Sequence, residues 1–116
     1  MNKEKTLSEF ANRHVRNEFR GRFIHEALKC PSKLHKKLCH KIGLLFDDKY
    51  IDGTAVFAPD EICLVVARSR IEEIPWSDAK LLLGWGDGVL IVSECGRKFK
   101  AESEGCPKTI SYGAGS

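Results

Sequence analysis

The residues with the most chemical potential are His25, Cys30, His35, Cys39 and His40, which fall within 16 residues of one another. Imidazole and thiolate are the usual ligands of zinc, and His35 and Cys39, four apart, would share a helix face. A closed zinc site needs four ligands in tetrahedral geometry, usually at paired spacings, and the chain contains no Cys-x-x-Cys. Pro31 also splits the group. The plainer reading is a basic helix with surface histidines and one partly buried cysteine, so neither a metal nor a cofactor is expected.

Other chemistries meet similar obstacles. A nuclease would use His14 and His25 as acid and base beside a Lys or Arg that steadies a charged transition state, but no fixed spacing pairs them. Cys39 and His40 fail as nucleophile and base, because adjacent residues on a helix do not face one another. The run Gly84-Trp85-Gly86-Asp87-Gly88 lacks the lysine of a phosphate loop and does not lead from a strand into a helix. No catalytic residue is expected.

Charge is more informative. Residues 1–50 hold 12 Lys/Arg against 6 Asp/Glu, and residues 51–116 hold 7 against 10, so +6 in the first part faces −3 in the second. A basic part can attract an acidic protein surface or nucleic acid. Arg13, Arg16 and Arg20 recur at helical spacing, and Lys33, Lys37 and Lys41 form a second stripe at intervals of four. These six are the candidate basic face. Glu72, Glu73, Asp78 and Asp87 are the candidate acidic surface, able to mimic phosphates in a basic cleft. Trp76 reads as a core plug, whereas Trp85, beside Asp87, can serve as a binding anchor.

The elements that must position these groups follow from periodicity. Thr6-Leu-Ser-Glu9 fits a capping box, and Leu7, Phe10, Ala11, His14, Val15 and Phe19 recur at helical spacing. One kinked helix or two helices should fill 6–29, with Gly21 the weak point. Cys30-Pro31 breaks the helix. Leu34, Leu38, Ile42, Leu45 and Phe46 then predict another, ended by Asp47-Asp48. From about residue 50 the pattern shortens to strands at Thr54–Phe57, Ile62–Ala67 and Lys98–Glu102, with Ile62–Ala67 central. Ile71 and Ile74 extend this region as far as Pro75. Asp87-Gly88 between Leu81–Leu83 and Val89–Val92 predicts a hairpin with arms 80–85 and 89–94.

A run of helices followed by a run of strands is the α+β pattern: two or three N-terminal helices on one face of a four- to five-stranded antiparallel meander sheet. One domain over 1–116 is expected, with a helical part at about 6–46, a sheet part at about 50–103 and a flexible tail at about 105–116. The five cysteines are odd in number, which suits reduced thiols. No apolar run approaches a membrane span, and no secretory leader is visible after Met1, so a complete cytoplasmic product is expected.

With its short chain, uneven charge, helix-plus-sheet pattern and lack of a catalytic signature, the sequence resembles the small bacterial immunity proteins of contact-dependent toxin systems. That resemblance implies a single cognate protein partner, possibly a toxin domain, inhibited by covering its active site or docking surface. Such proteins differ widely in fold, so no site residues carry over. Ile71–Trp76 followed by Gly-Asp-Gly is also similar to sheets of the pleckstrin-homology type, except that here the helices precede the strands. The expected function is therefore non-enzymatic binding of one protein. A small nucleic-acid-binding regulator is the second reading and an RNA-cleaving enzyme the third. No membrane partner is expected.

Overall fold

A computed structural model describes residues 1–51, 55–105 and 109–115. The first helix, α1 (Lys3–His14), begins earlier than the capping box would place it. Asn2 holds an extended backbone, and its side chain accepts from the Lys5 N–H at 3.0 Å, so it caps the helix. Thr6 is thereby freed for a tertiary role, and its hydroxyl donates to the Glu94 carbonyl at 2.8 Å. Leu7, Phe10 and Ala11 form the buried stripe.

The region 6–29 is two helices, and the break is at Val15–Arg16 rather than Gly21. The Arg16 N–H donates to the Leu45 carbonyl at 2.9 Å, and the Arg20 guanidinium to the Val15 carbonyl at 3.1 Å. These long-range and capping bonds end α1, while Gly21 sits inside α2 (Arg20–Lys29) facing open space. Pro31 opens α3 (Pro31–His40), as the break at Cys30 predicts. The periodicity that runs on to Phe46 is split at Lys41, and α4 (Ile42–Leu45) is a single separate turn.

Five strands form one antiparallel sheet: β1 (Ile62–Val66), β2 (Ile71–Pro75), β3 (Asp87–Ser93), β4 (Phe99–Glu104) and β5 (Ser111–Ala114). Their order is β2-β1-β3-β4-β5. The α+β architecture is the expected one, and β1 is the interior strand buried on both faces. β2 lies at the edge, where the missing N–H of Pro75 breaks no ladder.

The sheet departs from a meander at one connection. The hairpin expected around Asp87-Gly88 does not form. β3 pairs with β1 (Leu64↔Val92) and with β4 (Leu90↔Ala101). After β2 the chain instead makes a short helix, α5 (Trp76–Ala79), and a 3-10 turn at Lys80–Leu82, then crosses to the far side of β1. Leu81-Leu82-Leu83 is apolar, but leucine carries no strand preference, and the crossover needs a segment that lies across a sheet face.

That crossover forms a second layer. Helices α1–α4 cover one face, where Leu7, Phe10, Phe23, Leu34, Leu38 and Phe46 meet Leu64, Val66, Leu90, Val92, Phe99 and Tyr112. On the other face Ala79, Trp76, Leu82 and Leu83, with Ala55 and Phe57, cover Cys63, Val65, Val89 and Ile91. Trp76 has a structural role, half-buried against this second cluster and stacked on Phe57 with ring centroids 4.5 Å apart. Ala55–Phe57 is a covering segment, not the expected strand, and Thr54 lies outside the described residues. Within β4, Phe99, Ala101, Glu102 and Ser103 are all buried. The C-terminal part is not a loose tail: β5 pairs with β4, and Tyr112 packs on Phe46. Cys106 lies outside the described residues.

Two glycines set how closely the helices approach the sheet. Gly96, in the β3–β4 turn, has φ +76°, and an added Cβ would lie 2.7 Å from the Phe10 nitrogen. Gly88 has φ +71°, and its Cβ would lie 2.5 Å from Cys39 Sγ on α3. Gly88→Ala should therefore cost about 3 kcal/mol, combining left-handed strain with overpacking. Cys39→Ala in the same chain should recover the steric share, as read from denaturant midpoints.

His14 yields a second expectation. Its ring sits among Phe10, Tyr50 and Phe99, with Nε2 on the Arg97 carbonyl at 3.1 Å and Nδ1 buried without a partner among the described residues. Burial, ahead of the opposing bond to Arg97, lowers its pKa from 6.5, and Arg13 and Lys49 add to the lowering. The unfolded chain then binds the proton more readily than the folded one. Stability from this group is full above pH 6.5 and declines as pH falls from 6.5 towards the lowered folded value. His14→Phe should flatten that part of the stability–pH curve, measured by urea unfolding between about pH 5 and pH 8.

Candidate functional site

Helix α2 buries Phe23 and Ala27 against α1 and α3, and α3 buries Leu34 and Leu38 against β3 and β4, so the residues flanking these stripes point outward along the seam between the two helices. The seam opens into a cleft of about 720 Å³ lined by Arg22, His25 and Glu26 of α2, Cys30, Lys33, Lys36, Lys37 and His40 of α3, and Lys41. Five lysines and arginines thus face a single carboxylate. A second cavity of about 700 Å³, between α1 and the β3–β4 turn, is balanced by contrast: Lys5, Arg13 and Arg97 meet Glu9, Glu61 and Glu94. Charge singles out the α2–α3 cleft.

Glu26 forms its floor. The residue is only 6 % exposed, and its Oε2 accepts from Lys37 Nζ at 2.7 Å. Its Oε1 is buried with no hydrogen-bond partner among the described residues. Lys37 is therefore held by an ion pair whose loss would strand a buried carboxylate. Arg22, Lys33, Lys36 and Lys41 have no carboxylate within 4.0 Å among the described residues.

The six-residue basic face read from the sequence is not one surface. Lys33, Lys37 and Lys41 share the cleft, but Arg13 lines the other cavity. Arg16 lies along the end of α4, with Nε 3.4 Å from the Phe46 carbonyl and 3.4 Å from the Asp47 carboxylate. Arg20 caps α1 and bonds Asn17 Oδ1 at 3.1 Å. Both arginines are spent on the turn between helices. Arg22 and Lys36 are the members that the stripe of fours missed. The signal for Lys36 was present, since i+3 from Lys33 lies on the same face as i+4.

The acidic candidates also scatter. Glu72 and Glu73 lie on edge strand β2, with Glu72 paired to Arg70 at 3.3 Å, and Asp78 is exposed on α5. Asp87 begins β3, and its carbonyl accepts from His35 Nε2. Trp85 is 74 % exposed, its indole N–H donating to the Leu81 carbonyl at 2.8 Å. The loop carrying it is pinned by buried Glu102, which accepts from the Gly84 N–H at 3.0 Å and the Gly86 N–H at 3.1 Å. Trp85 and Asp87 line a small cavity of about 250 Å³ with His35, Arg68 and Leu82.

The cluster of histidines and cysteines is divided between two places, with His40 lining the cleft beside His25 and Cys30 and the pair His35 and Cys39 turned towards β3. His35 Nε2 lies 3.4 Å from Cys39 Sγ, and His40 Nε2 lies 3.2 Å from the Glu104 carboxylate. Among the described residues no three His, Cys, Asp or Glu side chains converge on a position for a metal ion. Burial, reinforced by Glu104 and Asp87, pushes the Cys39 thiol up to about 11, and burial with Glu61 does the same for Cys63. His14 lies in the aromatic cluster and His25 in the cleft, so the two do not share a cavity.

Comparison with known proteins returns no match: no family model, no curated protein and no solved structure matches the chain. No described helix is long and apolar enough to cross a membrane.

Cys95 differs from the other described thiols. Burial alone would raise its pKa, but the Ser93 hydroxyl at 3.4 Å, backbone N–H groups and Arg97 outweigh it and bring the pKa down. With Ser93 Oγ accepting from the Lys98 N–H at 3.0 Å, its own proton is free for the sulfur. Iodoacetamide should alkylate exposed Cys95 before Cys39 and Cys63, with Ser93→Ala slowing that reaction, as followed by peptide mass mapping.

Proposed function

We propose that the chain is a non-enzymatic protein-binding inhibitor, acting in the bacterial cytoplasm on one cognate protein as the immunity proteins it resembles do, with the α2–α3 cleft as its binding surface. The observation that carries this reading is the concentration of Arg22, Lys33, Lys36, Lys37 and Lys41 around one concavity on two packed helices. Such a field steers an oppositely charged partner and fixes its register. The inner faces of both helices are locked into the core, so the charged side chains are presented from a rigid base. The exposed Trp85, held by Glu102, offers a separate aromatic anchor.

Nucleic acid is the second reading, favoured by the same cations, since lysine and arginine neutralise phosphates. The expected outcome for the inhibitor reading is one stoichiometric protein co-purifying from the native host, with its activity suppressed in the complex. Light scattering on the eluted species checks the first part, and titration of the partner's activity checks the second. Elution of the chain alone at 13.0 kDa would count against the reading.

A further inference from the structure

We infer that the α2–α3 cleft is built for a carboxylate-rich polypeptide segment and not for a nucleic-acid backbone, an inference that rests on reading the cleft as the binding surface. Three features of the cleft select this ligand.

The first is its floor. Glu26 places a buried carboxylate beneath the cations, with Oε2 taken by Lys37 and Oε1 without a donor among the described residues. A polypeptide brings a backbone N–H at nearly every residue along with its acidic side chains. A DNA backbone brings no donor, and RNA brings only the 2′-hydroxyl. A buried acceptor is costly when unpaired, so a ligand that supplies donors among its anions fits this floor.

The second is the kind of cation. Four of the five are lysines, and Arg22 is the one guanidinium. Lysine acts as a compact point charge towards carboxylate and phosphate alike, while stacking on bases draws on the flat guanidinium of arginine. The third is the shortage of stacking platforms, since among the described residues only the small rings of His25 and His40 line the cleft. Among the described residues no Phe, Tyr or Trp lines the cleft, whereas single-stranded nucleic acid is held largely by bases stacked on large aromatic rings.

The spacing of the cations suits such a segment. Lys33 and Lys37, one helical turn apart on α3, stand about 6 Å apart along the axis. Carboxylates on one face of a strand recur at about 6.8 Å, and those four apart on a helix at about 6 Å. Either form of acidic segment can therefore match successive lysines.

The test uses the purified full chain with two probes, a polyglutamate peptide and single-stranded DNA or RNA oligonucleotides of matched charge, titrated calorimetrically at about 0.15 M salt. The peptide is expected to bind about tenfold more tightly than the oligonucleotides. The variant Lys33→Glu/Lys36→Glu/Lys41→Glu should weaken the peptide about tenfold. A control with the same change in net charge, Lys3→Glu/Lys5→Glu/Arg13→Glu on α1, should leave it near wild type, with circular dichroism confirming that both variants fold. Oligonucleotides binding as tightly as the peptide would overturn the inference. So would a cleft variant that keeps wild-type affinity, or a wild type that binds neither probe. A native-host complex that survives the cleft substitutions would refute the inference while leaving the inhibitor reading intact. The absence of any host complex would remove that reading itself.

Discussion

The structure depends on burying both faces of β1 and β3. Leu64, Val66, Leu90 and Val92 point to the helices, and Val65 and Ile91 point the other way, all completely excluded from water. Each such side chain contributes about 1.5–3 kcal/mol when fully buried, so neither face can be left open. One face takes the whole helical layer. The other takes the crossover through α5 and the segment around Phe57. The departure from a meander has the same origin: a crossover lying on the far face supplies the cover that a tight hairpin would not.

That constraint propagates outward to the site. Because α2 must bury Phe23 and Ala27 against α1 and α3, and α3 must bury Leu34 and Leu38 against the sheet, their charged residues are left on the outer side of the seam where the two helices meet. Gly88 allows α3 to press against β3 at Cys39, which fixes the base from which Lys36, Lys37 and His40 project. Burial of Glu26 beside Lys37 then ties the two helices across the cleft. The rigidity of the cleft and its charge thus come from one packing arrangement. The same packing raises the pKa of the Cys39 thiol, which is a spacer buried between helix and strand with Glu104 and Asp87 beside it.

Much of the architecture was legible in the chain. The α+β order, the break at Cys30-Pro31, an interior strand within 62–67 and the end of the next extended segment at Pro75 all follow from periodicity and local chemistry. The failures share a cause. Thr6 reads as a cap because its partner at Glu94 is 88 residues away. Asp87-Gly88 reads as a hairpin turn because its glycine satisfies a local rule, while its actual role is to admit Cys39. The tail reads as loose because the strand it pairs with and the Phe46 that covers Tyr112 are remote in sequence. For the site, the stripe of Lys33, Lys37 and Lys41 was visible as a helical repeat. Its union with Arg22 and Lys36, and the diversion of Arg16 and Arg20 to helix ends, were not.

The sequence by itself determined the order of helices then strands, the helical stripes up to His40 and the apolar strands at 62–66 and 89–93, because these depend on residues a few positions apart. It also determined that positive charge collects in the first half. The tertiary structure alone decided strand order, the crossover and the grouping of charges into one cleft. Those depend on which surfaces cover which, and a side chain's partners across the fold are set by the burial of the whole, not by its neighbours in the chain.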